Sequence, residues 1–224
     1  MTQPDQRMAQ AFDDLAGSYD DAYHDEVARA LVAFAAPTGA ASVADVACGT
    51  GAVAIAVAQA RGAGPGGAPV LAFDLSPGMI AAGRARAARL ALTGAIDWRV
   101  APALPLPVAD ADLDLVLCAS SLHFLGRPAL ADWLRALRPG GRVGFTLPLA
   151  ADFRPRGVFA DLLATDLVLP GTAEAAAALA RSAGFTGAAA RTVAVGARTV
   201  ALVRAQAPAQ APAPTPAARA ATRS

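Results

Sequence analysis

VADVACGTGAVA, residues 43–54, is the stretch that decides how this chain folds. An apolar run passes through Asp45, then Cys48-Gly49-Thr50-Gly51 leads into small apolar residues. That order predicts a buried strand, a tight glycine turn and a helix. Gly49 to Ala54 also fits the G-x-G-x-x-G/A turn of dinucleotide enzymes, a pattern too common to name a ligand. Asp45, close behind the turn, is what distinguishes the possible ligands.

Outward from this stretch the chain alternates. Residues 8–16 and 24–36 predict helices ahead of the sheet, 43–47 the first strand, and 52–61 the helix after the glycine turn. RGAGPGGAP (61–69) is all breakers and small residues, hence a connector. VLAFD (70–74) predicts a second buried strand. Ser76-Pro77 opens the next helix, a capping residue followed by proline at the first helical position, and that helix runs to about Leu92. Strands follow at 96–100, 113–119 and 142–147, with PALADWLRALR as the helix between the last two, stopped by Pro139-Gly140-Gly141. Strands and helices in this rhythm predict an α/β fold with a parallel, doubly wound sheet. After a helix at 172–183, two β-rich runs meet at Gly196 with no room for a crossover helix, so they must pair antiparallel.

Parallel sheets hold ligands at the carboxyl ends of their strands. Here those positions are Asp45 to Gly51 and Asp74. A carboxylate ending the second strand suits the two hydroxyls of a ribose, because it only accepts hydrogen bonds. Asp45 would repel a pyrophosphate but favour the ammonium and sulfonium of S-adenosyl-L-methionine. Gly49 and Gly51 would let backbone approach such a ligand, and the helix N-terminus would accommodate its carboxylate.

Five motifs now fall in one order. AFDDLAGSYDDAY (11–23), DVACGTG (45–51), DLSPGMIAAGRARA (74–87), ASSLHFL (119–125) and LRALRPGGRVGF (134–145) resemble those of class I S-adenosylmethionine-dependent methyltransferases of the small-molecule, ubiquinone-biosynthesis-like type. The resemblance covers roughly residues 9 to 205. It implies a Rossmann-like sheet of seven strands in the order 3-2-1-4-5-7-6, closed by the antiparallel hairpin. It also implies a lid of N-terminal helices (1–36), a cofactor domain (37–205) and S-adenosyl-L-homocysteine as product. Expected cofactor contacts are Tyr19, Asp45, Ala47, Cys48, Gly49, Gly51, Asp74, Leu75, Met79, Ala101 and Ala119. Ala47 stands where the family often has glycine. In the aligned run RVAPALPLP, Val100 replaces an acid that grips the adenine amino group in relatives.

Several residues carry two readings. Asp45 and Asp74 could cap the helices that follow them, and Met79 could be plain helix core. His123, just past the fourth strand, has a side chain of near-neutral pKa suited to deprotonating a phenol or hydroxyl. A structural role is its alternative. Arg154 and Arg156 follow strand five, where an acceptor pocket would form, and could meet an anionic substrate or only solvent. The two histidines are far apart and the two cysteines lack ligand spacing, so no metal site is expected.

Composition narrows the rest. The chain has 224 residues, enough for one well-buried domain. A formal charge of +1 offers no global field for nucleic acid or an anionic membrane, and neither is an expected partner. All 19 basic residues are arginine, from which no function follows. The N-terminus has no apolar signal region, VARALVAFAAP is interrupted by Arg29, and Cys48 and Cys118 are too few for a disulfide scaffold. The expectation is a cytoplasmic protein, monomer or homodimer, with reduced thiols and a small-molecule methyl acceptor. Residues 206–224 are Pro/Ala-rich and predict a disordered tail. The rival readings are a cofactor-assisted rearrangement or cyclisation, a non-catalytic binding protein on this fold, and an NAD oxidoreductase, which Asp45 and the terminal hairpin oppose.

Overall fold

All four residues of Val43–Val46 (β1) are buried, so this strand lies inside the sheet with both faces covered. The computed structural model, which describes residues 3–19, 21–37, 42–62 and 67–209, shows how. β1 pairs in parallel with β2 (Val70–Asp74) on one side and β4 (Leu113–Cys118) on the other. β3 (Ile96–Val100) extends the sheet beyond β2, and β5 (Leu137–Pro148) lies in parallel beside β4. β6 (Thr186–Val195) and β7 (Arg198–Gln206) form the antiparallel hairpin, with β7 against β5. The order β3-β2-β1-β4-β5-β7-β6 is the one the motifs implied.

Alternation along each strand sends side chains to two separate apolar cores. Leu115 and Leu117 join Leu31 of α2 (Asp21–Ala35) and Val57 of α3 (Ala52–Arg61) on one face. Val116 and Phe145 join Trp133 of α6 (Arg127–Ala136) and Ala176 of α8 (Ala173–Ser182) on the other. Between them, α1 (Gln3–Leu15) packs against α4 (Pro77–Arg89) at the carboxyl end of the sheet.

The structure moves some boundaries. The helix expected to run into Pro139 ends at Ala136, and β5 begins at Leu137. Proline disfavours the helical conformation in the residue before it, so Arg138 must be extended. Two one-turn helices, α5 (Leu122–Leu125) and α7 (Val158–Asp161), are too short to leave a periodic signal. The expected tail starts inside β7: Gln206 is in the strand, and buried Ala207 donates its N–H to Gly141 O at 2.7 Å. Residues 210–224, and 63–66 of the first connector, lie outside the described residues.

Candidate functional site

Strand order reverses between β1 and β4, and the loops leaving these two strands meet there. Ser121 donates its hydroxyl to the carbonyls of Ala47 (3.3 Å) and Ala119 (3.2 Å), tying the loops together. Each loop holds one non-glycine residue in the left-handed region, Ala47 at φ +52° and Ser120 at φ +59°. Such a conformation costs an L-residue about 1 kcal/mol and collects at functional sites. Ala47 is where the resembled family has glycine, so its backbone keeps the glycine shape without the glycine.

Asp74, ending β2, closes the site on one side. Its Oδ2 accepts the Gly49 N–H at 2.8 Å and its Oδ1 accepts the Ser76 N–H at 2.9 Å. Burial pushes its pKa up, opposed by these two backbone N–H groups. Asp13 of α1 reaches the same place. Its Oδ1 accepts the Ser76 hydroxyl and, at 2.8 Å, the Gly78 N–H. The N-terminal helix is thus latched to the start of α4 beside Asp74.

Asp45 is buried beneath the glycine turn. It is 1% exposed, and its Oδ2 accepts the Ala54 N–H at 2.9 Å, capping the first turn of α3. Of the two readings, the capping one describes its contacts. Burial raises its pKa to about 8, while the Ala54 bond lowers it and the Asp74 charge raises it further. A carboxyl with a raised folded pKa contributes stability that is fully present below the unfolded value of 3.8 and is lost as pH rises through about 8. Asp45→Asn keeps an oxygen for Ala54 without the titration. Urea unfolding of both proteins near pH 5 and near pH 8 should show the variant gaining on the wild type toward the higher pH. Parallel pH slopes would mean that Asp45 is ionised throughout.

The remaining expected contacts divide. Tyr19, Ala47, Gly49, Asp74 and Leu75 line one slot, together with Met8, Ala9 and Phe12 of α1 and with Ala103, Ser121, Phe124 and Leu125. Met79 is fully buried in the core under α4, so its core reading holds. Cys48 is buried, with its N–H on Phe73 O, and Ala119 is not in the slot wall. The Ala101 N–H is engaged by Asp74 O at 2.9 Å. Gly51 is not in the slot wall either, and a Cβ there would stand 2.2 Å from the Trp98 ring.

Val100 pairs with Asp74 in the β2–β3 register and is 54% exposed. A carboxylate there would not be buried unpaired. Val100→Asp is therefore expected to leave the melting temperature unchanged. It should tighten S-adenosylhomocysteine binding by up to roughly tenfold, one hydrogen bond's worth. A fall in melting temperature with no gain in affinity would show that the adenine edge lies elsewhere.

The slot between α1 and the loops encloses about 40 Å³. Next to it lies a larger cavity of about 550 Å³, and Phe12, Tyr19 and Phe124 line both. Phe12 meets Phe124 edge-on at 5.8 Å and Phe159 at 5.3 Å, forming an aromatic partition. His123 lines the larger cavity, 5% exposed, packed on Phe124 and Phe153. Its Nδ1 has no hydrogen-bond partner among the described residues. Burial pushes its pKa down to about 4, which corrects the near-neutral value expected of it. No group of metal-ligating side chains occurs among the described residues. No described helix is long and apolar enough to cross a membrane.

Known proteins share this arrangement. A methyltransferase-domain family model matches residues 43–141, from β1 through the turn into β5. The ubiquinone/menaquinone biosynthesis C-methyltransferase UbiE of Roseobacter denitrificans is 36% identical over 117 residues, 51% of this chain and 45% of that protein. Nocamycin O-methyltransferase of Saccharothrix syringae is 35% identical over 143 residues, 62% of this chain and 50% of that protein. The chain thus spans about half the length of these curated relatives. Among solved structures, a SAM-dependent methyltransferase from Aquifex aeolicus superposes with a TM-score of 0.58 at 19% identity, over 92% of this chain and all of that one. The sheet order, the motif order and these matches agree: residues 43–141 are similar to a methyltransferase domain, on the seven-stranded fold that S-adenosylmethionine-dependent methyltransferases also adopt.

Proposed function

We propose that this chain binds S-adenosylmethionine in the slot and transfers its methyl group to an O, N or C atom of a small molecule held in the larger cavity. The observation that carries this reading is that the two spaces adjoin at Phe12, Tyr19 and Phe124, because a methyl donor and its acceptor must come into direct contact. Bound S-adenosylmethionine would supply an electrophilic methyl on a positively charged sulfur.

The donor set fits such a ligand. The Asp74 oxygens each accept one backbone N–H and keep acceptor capacity for ribose hydroxyls. Gly49, at φ +54°, brings backbone to the slot surface opposite Tyr19. The volume does not yet fit. Ligand pockets start at roughly 300 Å³, and 40 Å³ remains with α1 in place. Helix α1 therefore acts as a lid that lifts to admit the cofactor, with Asp13 as its catch, whereas α2, also expected in the lid, is fixed in the core by Val27 and Leu31. Asp13→Ala should raise the association and dissociation rates of S-adenosylhomocysteine together, several-fold, in stopped-flow measurements. Unchanged rates would leave α1 a fixed wall.

Inside the larger cavity the chain contributes alignment and exclusion of water. Positioning a nucleophile about 3 Å from the reacting carbon is worth several kcal/mol by itself. The phenylalanines that surround the cavity keep bulk water from that approach. His123, neutral near pH 7, is a weak base. It can accept or donate one hydrogen bond at Nδ1, which favours an acceptor that loses its proton readily. The test is acceptor-dependent turnover, with S-adenosylhomocysteine formed mole for mole with a product heavier by one methylene. Rearranged product with S-adenosylmethionine left intact would instead assign the fold a non-methylating reaction.

A further inference from the structure

We propose that the larger cavity selects a small aromatic anion, its flat body against the phenylalanines and its negative group among Arg154, Arg156 and Arg198. This rests on reading that cavity as the acceptor side of a methyltransferase. The three guanidinium groups come from two separate parts of the chain. Arg154 and Arg156 follow β5 directly. Arg198 arrives by the hairpin: β7 runs antiparallel to β5, so its first residues stand beside the last of β5, with Val200 opposite Pro148. A turn at the far end of a long hairpin thereby delivers a cation to the carboxyl edge, where the acceptor must enter.

The charge balance of the wall is uneven. Asp152 is the one carboxylate among the described residues lining the cavity, against three arginines, whereas the whole chain carries only +1. None of the three arginines is in an ion pair among the described residues, unlike Arg86, Arg99, Arg135, Arg138 and Arg181. Arg154 is fixed on its own loop by donating to the carbonyls of Ala150 (2.8 Å) and Phe153 (2.9 Å). Arg198 lies over the Tyr23 ring at 4.8 Å, a stacking that holds the guanidinium without neutralising it. Held but unneutralised guanidinium groups beside an aromatic wall are suited to a flat molecule with a negative edge. The buried, unpartnered Nδ1 of His123 in the same wall adds one hydrogen-bonding position for such a molecule.

Two fluorescent probes with the same body but different charge separate this from general stickiness. 8-Anilinonaphthalene-1-sulfonate carries the anion, and N-phenyl-1-naphthylamine lacks it. Titrated into the full chain, the sulfonate should bind saturably. Arg156→Gln with Arg198→Gln, which keeps the apolar stems, should weaken it about tenfold, as expected for two partly exposed charge contacts. The neutral probe should change less than twofold, and the loss should shrink in high salt. Arg29→Gln with Arg89→Gln, in the separate basic hollow on the α2–α4 side, should leave both probes unchanged. Melting temperatures of all variants establish that they fold. Absent or unsaturable sulfonate binding, equal effects on both probes, or an equal loss in the control pair would overturn the proposal. S-adenosylhomocysteine titrated into the same variants reports separately: its failure to bind would sink the methyltransferase activity and leave the anion result standing.

Discussion

Asp74→Ala is expected to weaken S-adenosylhomocysteine binding about thirtyfold, or about 2 kcal/mol, for loss of two hydrogen bonds to a charged acceptor. The structure adds a second consequence. Asp74 also accepts the N–H groups of Gly49 and Ser76, so its removal strips both the glycine loop and the start of α4 of a partner. A stability loss of about 1–2 kcal/mol should accompany the weaker binding. Asp74→Asn keeps one acceptor oxygen and should fall between wild type and Ala on both measures. Calorimetric titration and thermal unfolding of the three proteins check the series. An unchanged dissociation constant in Asp74→Ala would remove this residue from the cofactor site, whatever happened to stability.

Gly51→Ala is expected to cost about 3 kcal/mol or more in unfolding free energy. Two separate terms add. Gly51 sits at φ +78°, where an alanine is strained by about 1 kcal/mol. Its new Cβ would also lie 2.2 and 2.7 Å from two atoms of the Trp98 ring, an overlap worth about 1–3 kcal/mol. The Trp98 ring lies between two glycines, because a Cβ at Gly83 of α4 would likewise stand 2.5 Å from it. Trp98→Leu in the Gly51→Ala background should recover the overlap and leave the strain. Urea unfolding of both single variants and the double variant isolates that coupling. A loss below about 1 kcal/mol in Gly51→Ala would show that the ring yields, and that the glycine answers to something else.

Gly51 also shows where reading the sequence ran out. That a glycine was needed followed from the turn; that a tryptophan from β3 made it necessary did not, since nothing local links the two positions. The same limit applies to Asp45, whose place under the glycine turn was plain. Its side chain could serve the cleft or the helix, and the orphan N–H groups of α3 won. His123 lost its expected basicity to burial against Phe124 and Phe153, a matter of packing between distant segments. What was legible was local or periodic. The short apolar strands, the Ser76-Pro77 helix start and the two-residue turn at Gly196 each carry their own chemistry, whereas the sheet order followed from the resemblance of the five motifs. The slot wall was half legible, because its strand-end residues follow from topology. Its α1 residues depend on how that helix settles on the sheet, which no single motif encodes.

The central claim is that the slot at Asp74 and Gly49 is built for S-adenosylmethionine and its product rather than for a dinucleotide. Isothermal titration of the full chain with S-adenosylhomocysteine and, in parallel, with NADH tests it most directly. One S-adenosylhomocysteine should bind saturably per chain and raise the melting temperature, and NADH should do neither. Tighter binding of NADH, or no binding of S-adenosylhomocysteine by a folded chain, would contradict it.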